Sequence, residues 1–160
     1  MSGEFVQNKD LQNTLYNALE TRSQIDGQWY EDRFWFWIYD ALTEIGNEQY
    51  LQAADRISYL RTVVFRPLLA FKNNGFPRFH SRKKRENDTT PLLNIENVEE
   101  QFASTLTSPL TLEAPYLLNY LKEMVALYKL LRIHLFDSRI SYQAATEYIT
   151  MNYFEKIEKR

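Results

Sequence analysis

Residues 114–136 read APYLLNYLKEMVALYKLLRIHLF, and this stretch decides the fold. At 100° per residue, Tyr120, Met124, Tyr128, Leu131 and Leu135 share one helical face. Leu118, Leu130, Ile133 and Phe136 lie off that face, so the helix is apolar nearly all round. Its polar ridge is narrow: Lys122 and Lys129 stand 7 residues apart, which puts them within about 20° of each other. Pro115 fits the first turn, where its missing N–H costs nothing. A helix of this kind either sits at the centre of its own bundle, or packs inward on one face and against another subunit on the other.

Working outward, Asp137 and Ser138 are caps for a last helix over about 139–157, with Ile140, Ala144, Tyr148 and Met151 facing inward. Upstream, Thr107 to Pro115 is a connection containing Pro109, preceded by a short helix over about 95–106. Residues 72–95 (KNNGFPRFHSRKKRENDTTPLLNI) hold Asn-Asn-Gly, two prolines and a charge run, and read as a long basic loop or a disordered segment. A helix from about Glu48 towards Phe71 carries the stripe Ala53, Ile57, Leu60, Val64 and Leu68, kinked or ended by Pro67. Another runs from about Trp29 to Ile45, with Phe34, Ile38, Ala41, Leu42 and Ile45 on one side and Gly46-Asn47 as its stop. Residues 24–28 form a turn, and Leu11, Leu15 and Leu19 mark a helix over about 9–22, capped by Asn8 or Asp10. The expected fold is all-α: a single compact bundle of five or six helices, one domain over 1–160, with a long basic loop in the middle.

Composition narrows the function classes. A chain of 160 residues can bury a real core without covalent staples. The absence of cysteine excludes disulfides, thiolate zinc sites and thiol catalysis, and fits a reducing compartment. No stretch approaches the roughly 20 apolar residues of a membrane span, and MSGEFVQNKD lacks the pattern of a signal peptide. A cytoplasmic protein with no membrane partner is expected. Four glycines and no regular turn spacing argue against a sandwich or barrel. The net charge of −2 hides an uneven distribution. Residues 1–65 carry 5 basic and 10 acidic groups; residues 66–85 carry 7 basic groups and no acidic one; residues 86–116 carry 6 acidic groups and no basic one.

No catalytic constellation is visible, so no enzyme, cofactor or metal is expected. A helical ribonuclease wants an arginine four to six residues before a histidine; Arg78 and Arg132 stand only 2 residues before His80 and His134. There is no glycine-rich phosphate loop and no pair of Glu-x-x-His sequences for a di-iron bundle. Asp40 and Glu44, one helical turn apart, are an ordinary surface spacing before they are a metal site. The basic run Arg82, Lys83, Lys84 and Arg85 is either a solvated loop or a contact to phosphates, with Phe76, Phe79 and His80 beside it to stack on bases. Arg61 projects near the apolar face of its helix, to pair with a carboxylate or reach a phosphate, while Arg56 and Arg66 point outward. Trp29 and Phe36 lie opposite the Ile38 face beside Arg33, a protein-interface combination unless a neighbouring helix covers them.

Two segments carry a family resemblance. Asp55-Arg-Ile-Ser-Tyr-Leu-Arg61 resembles the second-helix segment of the small subunit of type III, Csm-type CRISPR effector complexes, and Tyr120-Leu-Lys-Glu-Met-Val-Ala-Leu-Tyr-Lys129 resembles that family's C-terminal helix. The chain departs from the family where Phe65-Arg-Pro-Leu68 replaces an Ala-Gly-Arg sequence, and where 31 residues follow Lys129. The resemblance implies a helical, non-catalytic structural subunit that stacks in copies and contacts the backbone of a guide-target RNA duplex. The phosphate contacts would be Arg56, Arg61, Arg66, Lys122, Lys129 and the 82–85 run; the partners would be guide or target RNA, other complex subunits and copies of itself. The rival expectation is a small protein-binding module, such as a toxin-neutralising or phage-derived inhibitor, using the acidic N-terminal half and the surface at Trp29, Arg33 and Phe36.

Overall fold

Helix α1 (Gly27–Gly46) starts where the Asp26 carboxylate accepts the Trp29 N–H at 3.1 Å. The structure, a computed structural model, describes residues 10–13, 25–74 and 95–160; residues 10–13 are helical. The expected face of α1 (Phe34, Ile38, Ala41, Leu42, Ile45) is buried, and Trp35 joins it. Gly27 is buried against the turn that follows the longest helix. A Cβ there would collide with Ile140 and come within 2.7 Å of Phe136 Cγ. The stop differs in detail from the expectation. Gly46 is still helical, and the left-handed residue is Glu48, at φ 61°. Its N–H reaches Ile45 O at 3.0 Å, and the Gln49 N–H reaches Glu44 O at 2.8 Å, satisfying the terminal carbonyls.

The expected helix over 48–71 is three pieces: α2 (Tyr50–Leu60), a π-helical turn (Arg61–Phe65) and α3 (Arg66–Asn73). Pro67 is the cause, because its ring clashes with the carbonyl four residues back. The backbone widens ahead of it, and the Arg66 N–H bonds the carbonyl of Arg61, five residues back. The stripe Ala53, Ile57, Leu60, Val64 and Leu68 is fully buried. In a straight helix Phe65 would lie about 100° off the centre of that stripe at 100° per residue; the wider turn brings it into the core, 0% exposed.

Lys72 then donates to Ile95 O at 2.8 Å and to Glu99 at 2.7 Å, while the Asn73 amide donates to Glu99 at 2.9 Å. The two ends of the 75–94 segment are thus pinned together. The run Arg82–Arg85, with Phe76, Phe79 and His80, lies outside the described residues, as does most of the expected 9–22 helix. Residues 95–107, expected as one helix, break at Phe102 into a 3-10 turn (Ile95–Asn97), α4 (Val98–Gln101) and α5 (Ala103–Thr107).

Helix α6 (Ala114–Leu135) matches its expected bounds within a residue. Its buried face is Leu117, Leu121, Met124, Val125, Leu127, Tyr128, Leu131 and Leu135. Tyr120 is only half-buried and Ile133 is 69% exposed, so α6 is covered on one side only. The last helix, α7 (Ala144–Glu158), begins five residues later than expected. Asp137 does not cap a helix; it accepts the N–H and the guanidinium of Arg139 in a tight turn. Gln28 then clamps Ser141 through both of its backbone groups, at 2.9 and 3.0 Å. The inward face of α7 is Thr150, Phe154 and Ile157, whereas Tyr148, expected inside, is 69% exposed. Helix α1 packs against α2, α6 and α7, and α6 closes the core against α2 and α3. Phe34 stacks on Tyr128 with ring centroids 3.7 Å apart, and Trp35 meets Tyr128 edge-on at 5.9 Å.

Candidate interaction surfaces

One acid lies in the centre of this core. Glu31, on α1, is 0% exposed and receives four donors. Tyr128 OH donates at 2.6 Å, Arg132 Nη1 at 3.0 Å, the Gln143 N–H at 3.0 Å and Trp35 Nε1 at 3.3 Å. Arg132 also donates to Glu147 at 3.2 Å and lies 4.6 Å from the Tyr142 ring centroid. Burial lowers the pKa of the Arg132 guanidinium, and the Glu31 and Glu147 carboxylates more than reverse that, so it stays firmly charged. Burial, then the bond to Glu31, pushes the Tyr128 hydroxyl up. The cluster joins α1, α6 and the entry of α7. All four donors to Glu31 come from within the chain, so the cluster fastens three elements together, and the buried Arg132 Nε is left without a partner among the described residues.

Among the described residues, the cations expected to meet phosphates are mostly engaged elsewhere. Arg56 donates to Glu44 at 2.6 and 3.0 Å and lies 3.8 Å from Asp40, so the acid pair of α1 flanks a guanidinium. Arg61 donates to the carbonyls of Thr105 and Ser108 at 2.7 and 2.8 Å, beneath the Tyr120 ring. These acceptors are neither a carboxylate nor a phosphate; they are the orphan carbonyls at the end of α5. Lys122 pairs with Glu158 at 3.3 Å, and Lys129 with Glu147 at 3.2 Å. The lysine ridge of α6 therefore faces α7. Arg66 is exposed and makes no ion pair among the described residues. His134 Nδ1 sits 2.9 Å from Leu130 O, an ordinary contact within its own helix. Among the described residues, no group of three or more His, Cys, Asp and Glu could hold a metal ion, and no helix is long and apolar enough to cross a membrane.

The expected interface residues do come together. Trp29, Arg33, Phe36 and Asp40 lie along the outer side of α1, opposite the buried stripe. Phe36 is 57% exposed and Trp29 36%. The Arg33 guanidinium stacks 4.5 Å from the Trp29 ring centroid and donates to the Trp29 carbonyl at 3.0 Å. Sequence reasoning missed how far the surface extends. Trp29 meets Trp37 edge-on at 5.8 Å, and Trp37 meets Tyr59 of α2 at 5.4 Å, so the rings run from α1 onto α2. Trp37 sits one residue beyond Phe36, a signal that was present; Tyr59 comes from a different helix, and nothing local links it. Compared with protein-family models, curated proteins and solved structures, the chain matches none.

Proposed function

We propose that this protein is a non-catalytic helical interaction subunit that binds another protein through the α1–α2 aromatic face. One observation carries the reading: large rings and a stacked arginine are exposed together on a packed helix pair. Tryptophan, tyrosine and arginine give the largest binding energies when a partner desolvates them, and a contiguous exposed apolar patch is uncommon on a free-standing surface. The test is the apparent size of the protein in extracts of its native cells. The wild type is expected in an assembly larger than the monomer, and the double variant Trp29→Ala/Phe36→Glu as the monomer with an unchanged helical spectrum. A variant that stays in the assembly contradicts the reading.

A second reading is the RNA-contacting subunit of a CRISPR effector complex that the resemblance implies. Arg66 favours it: an exposed guanidinium that makes no ion pair among the described residues opens the stretch with 7 basic groups and no acidic one. RNA affinity would then depend on Arg66 and the 82–85 run, with a log–log salt slope of about −0.7 per phosphate contact for single strands. Replacing 75–94 by a short Gly-Ser linker should flatten that slope. An unchanged affinity and slope would remove the RNA reading.

A further inference from the structure

The α1–α2 face has a chemistry that selects among protein partners. Arg33 is an exposed charge of that face, and the Asp32 carboxylate beside it acts on it through space without an ion-pair contact. The Asp32 carboxylate accepts the side-chain amides of Gln28 and Gln143, both at 2.8 Å, and Asp40 and Glu44 face Arg56. Arg33 makes no ion pair among the described residues. It is nevertheless held still, stacked on Trp29 and tied to the Trp29 carbonyl. That bond uses one N–H of a guanidinium that carries five. The remaining fork is preorganised for the two oxygens of a carboxylate, with the exposed Trp29 ring against it and exposed Phe36 on the same side of α1.

We infer, resting on the interaction reading above, that the partner presents an acidic side chain flanked by apolar ones. Its carboxylate pairs with Arg33 while its apolar neighbours cover Trp29 and Phe36. A polyanion fits this face less well. Nucleic acid needs several clustered cations, and residues 1–65 carry 10 acidic against 5 basic groups. A single carboxylate responds to the nearest guanidinium, whereas an extended polyanion feels the whole negative surface.

The probe is a displayed library of random dodecapeptides, selected on the full chain and counter-selected on Trp29→Ala/Phe36→Ala. Enriched sequences are then made synthetically, each with a matched version carrying Gln for Glu and Asn for Asp. Enrichment of an Asp or Glu beside apolar residues is expected, and the amide version should bind about tenfold more weakly or worse. Arg33→Glu should lose the acidic peptide and recover binding to a version with Lys in place of the acid. Arg33→Lys should bind with intermediate affinity, because an ammonium offers neither fork nor stacking plane. Peptides that depend on Trp29 and Phe36 but ignore Arg33 and their own acids would overturn this inference and leave the interaction reading standing. Failure to enrich any peptide that depends on Trp29 and Phe36 would overturn both. Binding of a uridine dodecamer that depends on the same two rings would overturn both in favour of nucleic acid.

Discussion

Glu31 shows how much one side chain can decide. A carboxylate with no contact to water persists only if it is paired and fully bonded, and its four donors come from α1, α6 and the entry of α7. Glu31→Ala takes one of two carboxylates from the Arg132 guanidinium, which is only 12% exposed and keeps Glu147, and it leaves the Tyr128 hydroxyl and the backbone N–H that precedes α7 without their acceptor. Unfolding in urea should show a loss of about 3–5 kcal/mol, and Glu31→Gln a smaller one, since an amide oxygen still accepts. A loss below about 1 kcal/mol would mean the cluster is not the fastening described. Asp137 gives a second test, by pH. The bonds from the Arg139 guanidinium and N–H lower its carboxyl to about 2. A depressed carboxyl stabilises the fold above its unfolded value of about 4 and loses that contribution as pH falls through about 2. A carboxyl NMR titration should find that midpoint near 2, and Arg139→Ala should return it to the ordinary range. Glu31 stands beside Asp32 in the sequence, and nothing local marks it as the buried one of the two. Its partners are equally hidden, because Arg132 and Gln143 stand 101 and 112 residues away.

Helices were legible where their periodicity was local. The faces of α1, α2 and α6 follow from 100° per residue alone, and α6 ends where its apolar run does. The sequence reading failed where tertiary contacts choose the boundary. Residues 137–143 have respectable caps, yet Gln28 and Glu31 hold the backbone groups that an extra turn of α7 would use. The π turn was half visible: Pro67 announced an interruption, but its form depends on placing Phe65 in the core. The end of α1 offers a clean test of the backbone. Glu48 occupies a left-handed conformation at φ 61°, which costs a side-chain-bearing residue about 1–2 kcal/mol. Part of that is offset by the entropy a glycine loses on folding. Glu48→Gly should therefore raise stability by up to about 1 kcal/mol, read as a higher thermal midpoint. A lower midpoint would show that the Glu48 side chain contributes more than its strain removes.

At the scale of the whole molecule, the all-α bundle was legible from composition and stripes, and seven helices over the described part of 25–160 exceed the expected five or six only because two stretches break. The candidate site was legible in part. Trp29, Arg33 and Phe36 converge as their positions on α1 implied. Arg56, Arg61, Lys122 and Lys129 are as basic as expected, but the fold engages each of them, and charge in a sequence does not reveal its partner. Because Lys72, Asn73, Ile95 and Glu99 pin its ends, replacing 75–94 by a short linker should change stability by less than about 1 kcal/mol. A larger loss in urea would mean the segment contributes to the core. The central claim is that the α1–α2 face meets a protein. Site-specific photo-crosslinking in native cells tests it most directly, with a benzophenone side chain placed at Phe36 or, as control, at exposed Lys156 on α7. Crosslinking from position 36 should give one discrete heavier protein species that Arg33→Glu removes, and position 156 should not give it. The same species from both positions, or none from position 36, would contradict the account.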